Sequence, residues 1–138
     1  MKKKMTLLLT LMFIIGLLSG CGSSSQSKEI ALGLTAPMTG DYAEYGNAFK
    51  NAIELAIEKA NAEGGINGKK LKLVVGDSKA DPKEAANIAQ KFVADSSIQA
   101  VIGDFTSTAA FAGSPIYQKN GLVQLSPTSS HPDFTKGG

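Results

Sequence analysis

Two clusters of hydroxyl side chains stand out, each at the end of a short apolar run. Val101-Ile102-Gly103-Asp104-Phe105-Thr106-Ser107-Thr108 passes from an apolar segment, through a glycine break, into Ala109-Ala110-Phe111-Ala112. A Ser or Thr before such a run signals a helix N-cap. Ser126-Pro127-Thr128-Ser129-Ser130 follows a second apolar run, Leu122 to Leu125. Hydroxyls beside the free N–H groups of a helix start suit a carboxylate or a phosphate. The phosphate-loop spacing is absent. Gly64-Gly65-Ile66-Asn67-Gly68-Lys69-Lys70 has the glycines and the lysine but the wrong intervals, and no Ser or Thr follows the Lys. A carboxylate is therefore the favoured guest.

Other chemistry is poorly provided for. His131 is the sole histidine and Cys21 the sole cysteine, so no metal-ligand set assembles. Ser129 and Ser130 adjoin His131, but no Gly-x-Ser-x-Gly elbow is present. Asp77 and Asp104 end apolar runs, where an aspartate usually serves as a cap or a solvated turn residue. The residues call for no cofactor, no metal and no enzymatic step.

These groups need elements to position them. Glu29 to Ala36 alternates Ile30, Leu32 and Leu34 with Ala31, Gly33 and Thr35, which predicts a strand with one small-residue face. Pro37 to Asp41 is turn chemistry. Tyr45 to Glu63 carries Phe49, Ile53, Ala56, Ile57 and Ala60 at helical spacing, and Gly64-Gly65 stops it. Asn67-Gly68 is a tight turn into the Lys-rich strand Lys69 to Gly76, a pattern suited to a sheet edge. Asp81-Pro82-Lys83-Glu84 opens a second helix with an N-cap, a proline at N1 and an acid at N3. Gln99 to Ile102 reads as a central strand, Ser107 to Gln118 as a third helix and Leu122 to Leu125 as a fourth strand. His131 to Thr135 carries a short helical turn. The order β-α-β-α-β-α-β predicts an α/β fold, a three-layer αβα parallel sheet. Ligands of such sheets bind beyond the carboxyl ends of the strands. Both hydroxyl clusters would lie there, with Tyr45 covering them from the first helix.

The first residues differ in kind. Lys2 to Lys4 are basic, Met5 to Leu18 is almost wholly apolar, and Leu18-Ser19-Gly20-Cys21 follows. The run is short for a membrane span and fits a signal peptide over 1–20. Three of the 14 basic residues sit there, which leaves 11 lysines against 12 acids and no basic patch for nucleic acid. The Cys21 segment resembles the bacterial lipoprotein lipobox. That resemblance implies cleavage before Cys21, lipid on its sulfur, and residues 21–28 as the lipidated cysteine and tether.

The remainder, residues 29–138, carries its own likeness. Ala36-Pro37-Met38-Thr39-Gly40 with Tyr45-Gly46, then Glu63 to Gly68, Asp81 to Ala85, Val101-Ile102-Gly103 and Gly121 to Pro127 resemble the branched-chain amino-acid-binding proteins of ABC importers. The likeness implies lobe one of a type I periplasmic-binding fold. It also implies capture of an amino acid outside the cytoplasmic membrane, with delivery to an ABC permease. Branched-chain amino acids come first, with amides and short organic anions as rivals. By the same likeness Phe105, Thr106 and Ser107 line the pocket, and Ser107 binds the ligand carboxylate by hydroxyl and N–H. Thr128, Ser129 and Ser130 supply a carbonyl for the ammonium and a hydroxyl, and Tyr45 packs near the ligand. Ser130 stands where the best-known members carry Thr, and Thr106 where some carry Cys. A ligand-sensing receptor domain of the same fold is the alternative. Members of the family run to more than twice this length. The stretch is therefore expected to be an incomplete N-terminal lobe with exposed apolar edges, binding weakly or not at all by itself.

Overall fold

A computed structural model of the chain describes residues 29–136. The expected signal peptide over 1–20 and the expected lipidated Cys21 and tether over 21–28 lie outside these residues. Seven elements alternate: β1 (Glu29–Ala36), α1 (Ala43–Ala62), β2 (Lys70–Asp77), α2 (Pro82–Ala94), β3 (Ile98–Ile102), α3 (Ser107–Lys119) and β4 (Val123–Leu125). The four strands form one parallel sheet in the order β2-β1-β3-β4. The lysine-bearing strand is at an edge, as expected, and β3 is interior. Because β2 and β3 flank β1 on opposite sides, strand order switches between β1 and β3. A crevice opens at that place in such sheets.

The small-residue face of β1 explains the close packing of α2. A Cβ on Gly33 would lie 2.7 Å from the Phe92 ring, and one on Gly76 would lie 2.6 Å from Ile88 Cγ2. Glycine at both positions lets the helix settle onto the sheet. Ala31, Ile88, Ala89, Phe92, Ile98, Val101 and Tyr117 form the core between the sheet, α2 and α3. Burying a side chain such as Phe92 contributes about 1.5–3 kcal/mol.

Local chemistry sets the boundaries. Asp81, in extended conformation, accepts the Glu84 N–H at 2.9 Å and caps α2 with Pro82 at its first turn. After α1, Gly64 and Gly65 take positive φ and the Gly65 N–H reaches the Ala60 carbonyl at 2.8 Å, closing the helix. Asn67 and Gly68, at φ of 52° and 76°, turn the chain so that Ile66 and Lys69 pair.

The first helix departs from expectation in two ways. It begins at Ala43, two residues early, and its apolar face is only partly covered. Phe49, Ile53, Ile57 and Ala60 are half-buried, and Ala56 is exposed. The cause is its placement: α1 stands alone on its face of the sheet, whereas α2 and α3 share the other. A groove of about 420 Å³ remains between α1 and the sheet, walled by Leu32, Ile53, Ile57, Leu71 and Ile102.

Candidate functional site

Helix α3 starts at the carboxyl end of β3. Thr106, extended at φ −94° and ψ 145°, is its N-cap, and its hydroxyl accepts the Ala109 N–H at 3.3 Å. Of the three adjacent hydroxyl residues before the helical run, the cap is therefore Thr106, and not Ser107 or Thr108. This leaves the Ser107 hydroxyl without a protein hydrogen bond among the described residues, half-buried at the first turn.

The second hydroxyl cluster lies against the first because β3 and β4 are parallel neighbours. The Gly103 N–H donates to the Leu125 carbonyl at 2.8 Å, and Gln124 Nε2 donates back to the Gly103 carbonyl at 3.0 Å. Ser126 Oγ donates to the Asp104 carbonyl at 2.9 Å, and Thr128 Oγ1 donates to the Phe105 carbonyl at 2.7 Å. The Ser126 and Ser129 hydroxyls are bonded to each other at 2.6 Å. Thus Thr128 and Ser129, read as ligand groups, use their hydroxyls to stitch the loops together. Ser130 is exposed, with its hydroxyl free of protein partners among the described residues. Ser126 joins the stitching, as its place within the same Ser/Thr run allows.

Phe105 is held from the other side. Its ring stacks on Tyr45 at 4.6 Å between centroids and 18° between planes, with Tyr42 at 5.3 Å and Phe49 at 6.1 Å. Tyr45 thus packs on the loop after β3 through the Phe105 ring. The parts of Tyr42 and Phe49 were not read from the sequence, where Phe49 belonged to the helix's core stripe.

The two strand-end aspartates have opposite surroundings. Asp77 sits at the surface end of β2 and accepts from Met38 N–H at 2.9 Å, Thr39 Oγ1 at 2.6 Å and Lys79 N–H at 3.0 Å. Partial desolvation pushes its carboxyl up, but these donors outweigh it and hold the pKa below the usual 3.8. Asp104 is fully buried, not a solvated turn residue. It accepts from Thr35 Oγ1 at 3.2 Å and from the Phe105 N–H at 2.6 Å. Burial pushes its pKa up, while Ser78, Phe105 and Thr35 pull the other way. His131 lies edge-on to Phe111 at 5.1 Å and its Nδ1 accepts the Asp133 N–H, so it organises its own loop.

Among the described residues no group of His, Cys, Asp and Glu could hold a metal ion, and no helix is long and apolar enough to cross a membrane. What remains is a polar ledge at the carboxyl edge of β3 and β4, backed by an aromatic cluster. Its free groups among the described residues are the hydroxyls of Ser107 and Ser130 and the N–H groups of Ser107 and Thr108, since Ala109 and Ala110 donate to Thr106.

Residues 29–138 match the family described as periplasmic binding protein. The chain belongs to that family. It is 42% identical over 108 residues to a Leu/Ile/Val-binding protein homolog 2 of Brucella abortus, covering 78% of this chain and 29% of the relative. A putative branched-chain amino acid ABC transporter structure from Rhodospirillum rubrum superposes with a TM-score of 0.77 at 41% identity, over 80% of this chain and 32% of that one. The substrate-binding protein LivJ of Streptococcus pneumoniae, solved in complex with isoleucine, gives 0.75 at 35% identity, over 79% and 31%. The four-stranded parallel sheet is that of a type I periplasmic-binding lobe. The chain spans about three-tenths of the length of the relatives it matches.

Proposed function

We propose that this chain supplies the head-group wall of a solute site in an extracytoplasmic binding protein that captures a branched-chain amino acid for an ABC permease. The observation that carries the reading is the division of labour among the hydroxyls. Thr106 caps α3 and Ser126, Thr128 and Ser129 hold the two loops, while the hydroxyls of Ser107 at the start of α3 and Ser130 in the loop after β4 stay free among the described residues. A carboxylate set against Ser107 would take its hydroxyl and the N–H groups of Ser107 and Thr108 and would lie at the positive end of the helix dipole. Carbonyls of the Thr128–Ser130 segment would face the ammonium. Tyr45 and Phe105 would close one side. The protein would bind and release its ligand without changing it. Cys21 would carry the lipid that keeps the domain at the membrane surface.

The test uses the ¹⁵N-labelled chain titrated with L-leucine, L-isoleucine and L-valine. Weak contact in the millimolar range should move the amides of Ser107 and Thr128 to Ser130, and leucinamide, which lacks the carboxylate, should not. Equal responses to leucine and leucinamide, or responses clustered elsewhere, would refute the head-group reading. Mass spectrometry of the membrane fraction checks the lipid on Cys21. A Cys21→Ser chain should lose it.

A further inference from the structure

Asp104 is the one buried carboxylate of the described fold, and the end of β1, the loop after β2 and the loop after β4 all meet at this residue. Thr35 reaches it from the end of β1, and Ser78, itself fully buried, from the loop after β2. Its carboxylate takes the N–H of Phe105, the next residue along, and its backbone carbonyl takes the Ser126 hydroxyl from the loop after β4. Thr128 then reaches the Phe105 carbonyl one residue further on. We propose that Asp104 is a positioning residue for the solute site, fixing the Phe105–Ser107 segment relative to the Ser126–Ser130 loop. This rests on the head-group reading given above.

The geometry explains why an acid stands here. A single carboxylate offers about four lone-pair sites to donors arriving from different elements, and a neutral side chain of the same size offers fewer. The groups that face it are Asp77 from the end of β2, Tyr117 from α3 and the hydroxyls of Thr35 and Ser78. Only acids and neutral donors surround it among the described residues. The Tyr117 hydroxyl is buried and has no partner among them. With no cation beside it, the carboxyl takes up its proton more readily than an ordinary aspartate. Protonation turns one accepting oxygen into a donor and must rearrange the bonds to Thr35, Ser78 and the Phe105 N–H. The ledge should therefore sense the protonation state of a group that touches no ligand.

The experiment follows the full 138-residue chain, kept in a mild detergent, by carboxyl ¹³C and amide ¹⁵N resonances between pH 3 and pH 8. The Asp104 carboxyl should titrate above the ordinary 3.8. The amides of Phe105, Ser107 and Thr128 should follow the same midpoint, and Asp104→Asn should abolish that component. Flat Ser107 and Thr128 amides through the Asp104 titration would overturn the proposal, since a merely structural acid would leave them unmoved. In the leucine titration Asp104→Ala should raise the half-saturating concentration at least fivefold, and Asp104→Asn, which keeps one accepting oxygen of the two, should fall between alanine and the parent. An alanine variant that stays folded and responds within twofold of the parent would also overturn it. If leucine moves nothing in the parent, the head-group reading fails, and the positioning role is judged on the pH titration alone.

Discussion

Replacing Gly46 by alanine sets helix propensity against packing, and the structure says which wins. Gly46 is the fourth residue of α1 and its buried contact with the end of β1. Alanine is favoured over glycine inside a helix by about 0.8–1.0 kcal/mol. A Cβ at this position, however, would lie 2.0 Å from the Pro37 carbonyl oxygen and 2.6 Å from its carbon. An ordinary carbon–oxygen contact is about 3.3 Å, so helix or turn must retreat by roughly 1.3 Å. Both partners are backbone, which leaves no flexible side chain to give way. Overpacking of this kind costs about 1–3 kcal/mol or more. A retreat of that size also loosens the Tyr45–Phe105 stack, in a class of contact worth about 0.5–1.5 kcal/mol. The net expectation is a destabilisation of about 1–3 kcal/mol, or a fall in melting temperature on the order of 10 °C for a fold of this size. Thermal unfolding by circular dichroism measures it. Tyrosine emission reports the stack, because the chain has no tryptophan and two of its three tyrosines sit in this cluster. A Gly46→Ala chain that melts at or above the parent temperature with unchanged emission would refute the reasoning.

Other outcomes follow from the same contacts. Asp77→Ala should cost about 1–3 kcal/mol at pH 7, since it removes the acceptor shared by Met38, Thr39 and Lys79. The folded pKa of Asp77 lies below 3.8, so its contribution is complete above that value and is lost as pH falls through the folded pKa. Urea unfolding at pH 7 and pH 3 should therefore separate parent from variant at the higher pH and bring them closer at the lower. Asn61→Ala should cost about 1–3 kcal/mol and speed amide exchange at Leu71, whose N–H and carbonyl both bond the Asn61 side chain, at 2.7 and 2.8 Å. Leu55, Val123 and Leu125 are more than 60% exposed, so the chain should self-associate; lysine at 123 and 125 should shift sedimentation toward the monomer.

At β1 and at the start of α2 the local signals were legible to the residue, while several other boundaries fell one or two residues away. Alternation over Glu29–Ala36 and the Pro37 turn bound β1, and Asp81-Pro82 fixed the start of α2 through chemistry confined to four residues. Both hydroxyl clusters were readable as neighbours because consecutive strands of a β-α-β chain tend to pair. Long-range partners were not readable. Asp104 looks like any strand-end acid until Thr35, 69 residues earlier, is brought against it. Phe49 fits a core stripe by spacing, but its contact with Phe105 depends on where α1 crosses the sheet edge. The cap fell to Thr106 because β3 ends early enough for its backbone to stay extended. Three adjacent hydroxyl residues give no means of choosing among them.

The division between holding and free hydroxyls also limits what the ledge can do alone. Hydrogen bonds to a charged group contribute about 1.5–3 kcal/mol each, and Ser107 and Ser130 offer two hydroxyls plus the first-turn N–H groups. Immobilising a small solute costs at least about 4 kcal/mol. At about 2 kcal/mol for each of four such bonds, two hydroxyls and the Ser107 and Thr108 N–H groups, the difference is about −4 kcal/mol, a millimolar affinity, whereas micromolar capture requires about −8. On the proposed reading, then, tight binding must come from a second polar surface closing over the first, as in hinge closure around a ligand. A rigid first wall favours that arrangement, because loops already stitched through Ser126, Thr128 and Asp104 lose little further freedom when the second surface arrives.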